Sequence, residues 1–322
     1  MSRRPTDRPR FLPFSGRAPQ QSGAAVVSAM LIVALATAGA AFLLGRMDHW
    51  IKRVEIGRDK TQGRQLALAG IDFARAVLST DARSSAADSL DEDWARRLPP
   101  LRQDDMELAG QIEDAQGRLN LNDLRRDDGS IDESALEAYR RLLSSLGLSP
   151  DLADPLADWL DADDSPRAAG AEANAYLAAG LPGGAPGRPL DHLANLHRIR
   201  GYTPDIIDRL QAFVSVLPGH PGINLNTAPP EVLAAIQPGL DTGLARTLAA
   251  SRQAVPFRDV SDYRRRAGND ALPSPSLPVS VASRHFIVRV EVSGERSRSV
   301  AESLIQRYGD GSKTRLLWLS LQ

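Results

Sequence analysis

From Gly23 to Gly45 the chain reads GAAVVSAMLIVALATAGAAFLLG without a charged residue. A run of that length spans the roughly 30 Å hydrocarbon core of a bilayer as one helix. No other segment of the 322 residues is comparably apolar. Arg3, Arg4, Arg8, Arg10 and Arg17 precede it against Asp7 alone, whereas Arg46, Lys52 and Arg53 after it are diluted by Asp48 and Glu55. That asymmetry places the N-terminus in the cytoplasm and everything after Gly45 across the membrane. Without its basic head the chain is mildly acidic, which makes it a poor general ligand for nucleic acid. The absence of cysteine excludes a disulfide framework and a thiolate metal site.

An ordinary signal peptide would be cut after its apolar core, and small residues near Ala38 offer such a site. The pattern beyond the core argues otherwise. Met47, Trp50, Ile51 and Val54, then Leu66, Gly70, Phe73 and Val77, recur at spacings of three and four. This is the signature of an amphipathic helix with one buried stripe. A single helix is therefore expected from about Ala24 to about Leu78, roughly 80 Å at 1.5 Å per residue.

Residues 79–106, rich in Ser, Asp, Arg and Pro, read as a loop with a short, partly helical stretch around Trp94. Between Met106 and Leu124, apolar residues alternate with polar ones around Ala115, Gln116 and Gly117, which predicts two short strands in a hairpin. From Asp132 to Leu217 the spacing predicts helices over Ala135–Leu146, Asp151–Leu160, Leu190–Arg198 and Asp205–Val214. GINLNTAPPEVLAAI at Gly222–Ile236 then echoes GRLNLNDL at Gly117–Leu124 and again opens a helix. Further helices are expected at Pro230–Ile236, Thr242–Arg252 and Val260–Arg266. After Pro278 the period changes to two and predicts three or four antiparallel strands. GDGSKT at Gly309–Thr314 lacks the glycine of a phosphate loop and reads as a hairpin turn. The fold class is α+β, a discontinuous domain with a helical insertion.

A basic leader ending in Gly23, followed by an uncut apolar segment that opens a long helix, resembles the type IV pilin and pseudopilin N-terminus. DAQGRLNLNDL at Asp114–Leu124, DWLDADDSP at Asp158–Pro166 followed by GAE at Gly170–Glu172, and INLNTAPPEVL at Ile223–Leu233 resemble the protein K family of type II secretion systems, and with the leader they cover nearly the whole chain. The resemblance implies a prepilin peptidase cut between Gly23 and Ala24, with methylation of the new terminus. Most pseudopilins carry Glu at the fifth mature position; here it is Ser28, and protein K members are similar in lacking that Glu. The implied fold is a long N-terminal helix on a small antiparallel sheet with a large all-α insertion of helix-hairpin-helix or SAM-like units. In segments, this is a leader at 1–23, a membrane or filament-core segment at 24–45 and pseudopilin helix and early strands at 46–124. The α-domain follows at 125–275, with sub-units near 125–217 and 224–275, and terminal strands at 276–322 close the chain. The implied role is that of a minor pseudopilin at the pseudopilus tip, held in the bacterial inner membrane with its C-terminal domain periplasmic. Its implied partners are the minor pseudopilins I and J.

Asp161, Asp163, Ser165 and Glu172 occupy relative positions one, three, five and twelve, the oxygen-ligand spacing of an EF-hand-like loop. Carboxylates without histidine or cysteine suit calcium over zinc. Pro166 stands where an EF-hand requires Gly, so a true EF-hand is not expected. The resemblance implies a structural calcium loop here, with Asp161, Asp163 and Glu172 as ligands and Asp164 and Ser165 beside them; the competing reading is an acidic turn that caps helices. A second acidic turn, Asp127 to Glu133, reads as a turn and an N-cap.

Gly239–Gly268 has the cadence of a helix-hairpin-helix unit. The alternative function is therefore a membrane-anchored DNA-uptake receptor or a type IV pilus-like minor pilin. PGLDTGLA lacks the clean hairpin that lays amides on phosphate, and Asp241, Asp259 and Asp262 offset the arginines. Reuse of the unit for protein contact is the preferred reading. No GxSxG, HExxH or cysteine nucleophile is present and the five histidines are scattered, so no enzyme is expected.

Overall fold

The computed structural model describes residues 22–97, 99–180, 187–268 and 272–322. The leader expected at 1–23 lies outside the described residues up to 21, and Gly23 and Ala24 fall in the first turn of helix α1 (Ser22–Asp81). Among the described residues α1 alone is long and apolar enough to cross a membrane, by length and composition. The chain divides into two compact units, residues 1–58 and 59–322. In the first, Met30, Leu35, Phe42 and Leu44 are all exposed, so its apolar surface is presented outward.

The second unit is built on a five-stranded antiparallel sheet, with strands β1 (Leu101–Gln103) and β2 (Met106–Asp114) at one side. Two pairs of two-residue strands follow in the chain, β3 (Leu119–Asn120) with β4 (Val214–Ser215) and β5 (Ile223–Asn224) with β6 (Val279–Ser280). The last three strands, β7 (His285–Gly294), β8 (Arg298–Tyr308) and β9 (Lys313–Leu321), complete the sheet in the order β1-β2-β7-β8-β9. Along β7 the period of two is clean: Phe286, Val288, Val290 and Val292 are buried while Arg289 and Ser293 are exposed. The buried set meets Ala67, Ile71, Ala74 and Leu78 of α1 in one apolar cluster. Full burial of side chains such as Ile71 and Leu78 stabilises by roughly 1.5–3 kcal/mol each. Gly70 permits the close approach, because a Cβ there would lie 2.8 Å from Val290 Cγ1.

The expected stripe is met in part, since Leu66 and Val77 pack against this cluster and Gly70 faces Val290, but the rest of it is left outward. Phe73 is 59% exposed, and Met47, Trp50, Ile51 and Val54 are exposed as well. The small residues Ala67 and Ala74, not the larger neighbours, let helix and sheet come close. The expected hairpin within Met106–Leu124 is also corrected. β2 turns back on β1 and pairs on its other side with β7, while β3 pairs in parallel with β4. At the C-terminus three antiparallel strands form, and Val279 belongs to β6, which pairs in parallel with β5.

Between β2 and β7 lies the helical block. It contains α2 (Glu133–Ser145), α3 (Ala153–Leu160), α4 (Ala173–Ala178), α5 (Pro204–Leu210), α6 (Pro230–Ile236), α7 (Thr242–Ala254) and α8 (Val260–Arg266). The expected helices at Leu190–Arg198 and around Trp94 are 3₁₀ turns at Leu193–Arg198 and Asp93–Ala95. A single apolar cluster from Leu119 to Leu277 fills the block. The echoed LNLN and INLN sequences have matching work to do. Asn122 holds Leu190 by its N–H (2.8 Å) and C=O (3.0 Å), and Asn226 holds Phe257 in the same way, at 2.7 and 3.0 Å.

Asp114 ties the block to the sheet. At the last residue of β2 its carboxylate accepts from Gln116 N–H (2.8 Å), Asn224 Nδ2 (2.9 Å), Thr227 Oγ1 (2.6 Å) and Ser283 Oγ (2.6 Å). Burial pushes its pKa up and these four donors oppose that rise. Asp114→Ala takes away the acceptor of the Gln116 N–H and the Ser283 hydroxyl and leaves Asn224 and Thr227 with their remaining acceptors alone, so the full-length protein should lose about 3 kcal/mol of stability in urea unfolding, whereas Asp205→Ala at the surface should change it by less than about 0.5 kcal/mol.

Candidate metal centre

The DWLDADDSP segment ends α3 and continues as a loop to α4. Asp158 lies on the buried face of α3, fully inaccessible, and Asp161 sits one turn further on at the helix C-terminus. Glu172 precedes α4 at its N-cap position but makes no capping bond. The loop folds back so that one carboxylate oxygen from each of Asp158, Asp161 and Glu172 lies within 4.8 Å of the others. Two oxygens sharing a calcium ion at about 2.4 Å can be separated by at most about 4.8 Å, so this spacing accommodates one ion.

Only part of this charge is answered inside the protein. Asp158 accepts the Arg167 N–H at 3.1 and 3.3 Å, and Arg167 Nε lies 3.7 Å from its Oδ1. Asp161 Oδ1 and Glu172 Oε1 are buried without any hydrogen-bond partner. Burial, reinforced by the neighbouring carboxylates, raises Asp161 to about 6 and Glu172 to about 7. Buried acceptors without donors are costly, and a cation is what these oxygens fit. Gly170 belongs to the same construction, since a Cβ there would lie 1.8 Å from Asp158 Oδ2.

Of the five residues singled out from the sequence, the structure brings Asp161 and Glu172 together. Asp163, Asp164 and Ser165 are exposed on the same loop, where Asp163 Oδ1 accepts the Ser165 N–H at 2.8 Å. The Asp163 and Asp164 carboxylates still reach the centre through space, adding to the rise of the Glu172 pKa. Asp158 is the residue that spacing alone missed. Its signal was its position three before Asp161 on a helix, which puts both on one face.

The other sequence candidates resolve differently. In the second acidic turn Asp128 Oδ1 accepts from Ser130 N–H and Oγ, and Asp132 caps α2 through Ser134 and Ala135. At the helix-hairpin-helix-like segment, Asp241 caps α7 by accepting the Leu244 N–H at 2.9 Å. Arg252 is buried on the Leu225 carbonyl, Arg265 and Arg266 pair with Asp262, and Arg264 bonds Ser274. These arginines serve the local fold and leave Arg246 and Arg258 exposed.

Two family models, both described as type II secretion system (T2SS), protein K, match residues 117–219 and 223–281. A curated type II secretion system protein K from Pseudomonas aeruginosa is 34% identical over 303 residues, covering 90% of each chain. Its counterpart from Klebsiella pneumoniae is 30% identical over 308 residues, covering 90% of this chain and 94% of that one. In fold the chain is similar to one in the crystal structure of the GspK–GspI–GspJ complex from enterotoxigenic Escherichia coli. The TM-score is 0.74 at 22% identity, over 84% of this chain and 99% of that chain. With an α+β fold, a long N-terminal helix and an antiparallel sheet carrying a helical insertion, the chain belongs to the type II secretion system protein K family of minor pseudopilins.

Proposed function

We propose that the chain is cut by prepilin peptidase between Gly23 and Ala24, methylated, held in the inner membrane by residues 24–45, and drawn into a periplasmic pseudopilus. There it sits at the tip with minor pseudopilins I and J, starts or caps the filament, and helps move folded proteins across the outer membrane. Its role is mechanical and not enzymatic. The observation that carries the tip position is the insertion between β2 and β7, a helical block longer in sequence than the strands it interrupts. Subunits stacked along parallel N-terminal helices leave little room for such a block, and the end of the filament does. The DNA-receptor alternative is disfavoured by the internal pairing of Arg252, Arg265 and Arg266.

Intact mass and N-terminal sequencing of the protein from its native host test the processing. A methylated chain starting at Ala24 supports the reading; a start at Met1 or after Gly39 removes it.

A structural calcium ion at Asp158, Asp161 and Glu172 is the reading best supported for the centre, with the orphaned Asp161 and Glu172 oxygens as its basis. The ion would supply charge neutralisation to a loop that otherwise concentrates repulsion. Without metal, the two raised carboxylates favour the folded state at low pH, since it binds protons there more tightly than the unfolded chain. Their contribution is present near pH 4 and is lost as pH rises through about 6 and about 7. Under EGTA the protein should therefore melt at lower temperature at pH 8 than at pH 5.5, and saturating calcium should raise the pH 8 midpoint by about 5 °C or more. Equal melting curves with and without calcium at pH 8 would remove the ion from this loop. Gly170→Ala, which forces Asp158 aside, should weaken calcium binding at least about tenfold in isothermal titration while Gly110→Ala in β2, where a Cβ makes only ordinary contacts from 3.8 Å, leaves binding unchanged.

A further inference from the structure

Away from the metal centre, the end of α1 and the loop that follows enclose a cleft of about 570 Å³. Its apolar side is formed by Phe73 and Val77 on α1 and by Trp94, whose indole packs edge-on against Phe286 at 5.2 Å. Its polar side is formed by Asp81, Asp91, Glu92 and Asp93, and no basic side chain lines it. Behind the cleft Arg307 is already committed. It donates to Asp81 at 3.1 Å, to Asp88, and to the carbonyl of Ser283 at 2.7 Å. At the rim Arg96 pairs with Asp93 at 3.1 Å, with both groups largely in solvent. Asp81 thus has Arg307, which also serves Asp88, and Asp93 has the exposed Arg96, whereas Asp91 and Glu92 accept only from neutral donors, Asp91 from the Ser89 hydroxyl and Glu92 from the Ser89 N–H (3.0 Å) and Trp94 Nε1–H (2.8 Å). The surplus is felt by Asp81, whose pKa is raised by burial and then by the charge of Glu92, against the lowering effect of Arg307.

Phe73 is the second observation. In the second compact unit, α1 keeps its aliphatic stripe on the sheet, and Phe73 is the one large apolar side chain of that stretch left outward, 59% exposed. An aromatic face beside two carboxylates that have neutral donors but no cationic partner among the described residues is the environment that receives the stem and head of a long cation.

We propose that this cleft is a docking site for a basic side chain, arginine in preference to lysine, presented by a neighbouring pseudopilin subunit. The guanidinium lies among Asp91, Glu92 and Asp93 while its plane and methylenes rest on Phe73 and Val77. Arginine is preferred because it stacks on an aromatic ring and gives forked donors to carboxylates. The inference rests on the assembly with minor pseudopilins I and J proposed above and assigns a surface to it.

The test uses the full-length mature chain in detergent and the purified I–J pair of the same host, titrated by biolayer interferometry at 50 and 500 mM NaCl. Three proteins are compared: wild type, Phe73→Ala, and the triple Asp91→Asn, Glu92→Gln, Asp93→Asn, whose amides keep the shape and remove the charge. Each variant should bind at least about tenfold more weakly at low salt, and the triple variant should lose most of the salt dependence shown by wild type. Unaltered melting curves keep a folding defect from standing in for lost docking. Binding by wild type with unchanged affinity in both variants overturns the site and leaves the assembly standing. No binding by wild type overturns both. A harmless Phe73→Ala together with loss of one bound calcium in the triple variant would make the cleft a cation site and overturn the docking proposal. Variants that change only self-association would make the occupant a second copy of this chain and overturn it too.

Discussion

A single buried carboxylate holds the second unit together. Asp114 stands where the chain leaves the sheet for the helical block, and its partners come from the second Asn-rich turn and from the point of return at Ser283. Four donors on one carboxylate make the charge tolerable in a site almost closed to water, and a donor left alone there would be costly. Gln116 reinforces the closure. Its amide donates to the Pro221 and Gly222 carbonyls and its oxygen accepts from the Arg284 and His285 backbone. A long excursion of the chain is thus pinned at its neck by directional bonds, where apolar contact alone would leave the block free to slide.

The same logic of compensated burial separates two acidic groups. Asp81 and Asp88 share Arg307, which also lies over the Phe286 ring at 4.5 Å, so each has a cationic partner within the fold even though burial still raises both pKa values. Asp158, Asp161 and Glu172 have Arg167, which contacts Asp158 alone of the three and is engaged with Glu133 at 2.9 Å as well, and Arg125, which acts on Asp161 through space without a bond. One cluster is a structural ion-pair network; the other retains acceptors that nothing in the chain supplies. The difference lies in partners and not in composition, and for that reason a count of acidic residues could not have told them apart.

Much of the architecture was legible because its signals are periodic and local. The three-to-four spacing placed α6 and α8 at their observed bounds, and the alternation after Pro278 marked β7. The errors fell where pairing partners are distant. β3 has two residues and owes its existence to β4, far along the chain, so a hairpin within Met106–Leu124 was the natural but incorrect local solution. Likewise, on α1 the spacing marks Leu66, Gly70 and Val77, which do meet the sheet, and Phe73, which does not, but passes over Ala67 and Ala74. Ala67 and Ala74 are weak hydrophobic signals and yet, with Gly70, are the residues that admit the sheet, since close approach rewards small side chains.

By itself the sequence determined the apolar N-terminal helix, the α+β order of elements, the family through its three ordered motifs, and the loop in which the acidic centre lies. Hydrophobic period, charge asymmetry and motif order are properties of neighbouring residues, so they survive without coordinates. The tertiary structure decided which carboxylates converge. Asp158 joined Asp161 and Glu172 because Gly170 lets the returning loop pass against it, and Asp163 turned outward because the Ser165 amide was at hand. It also decided that Phe73 faces away from the core. Contacts between residues far apart in the chain depend on the path of the backbone between them, and that path is the product of packing the whole molecule at once.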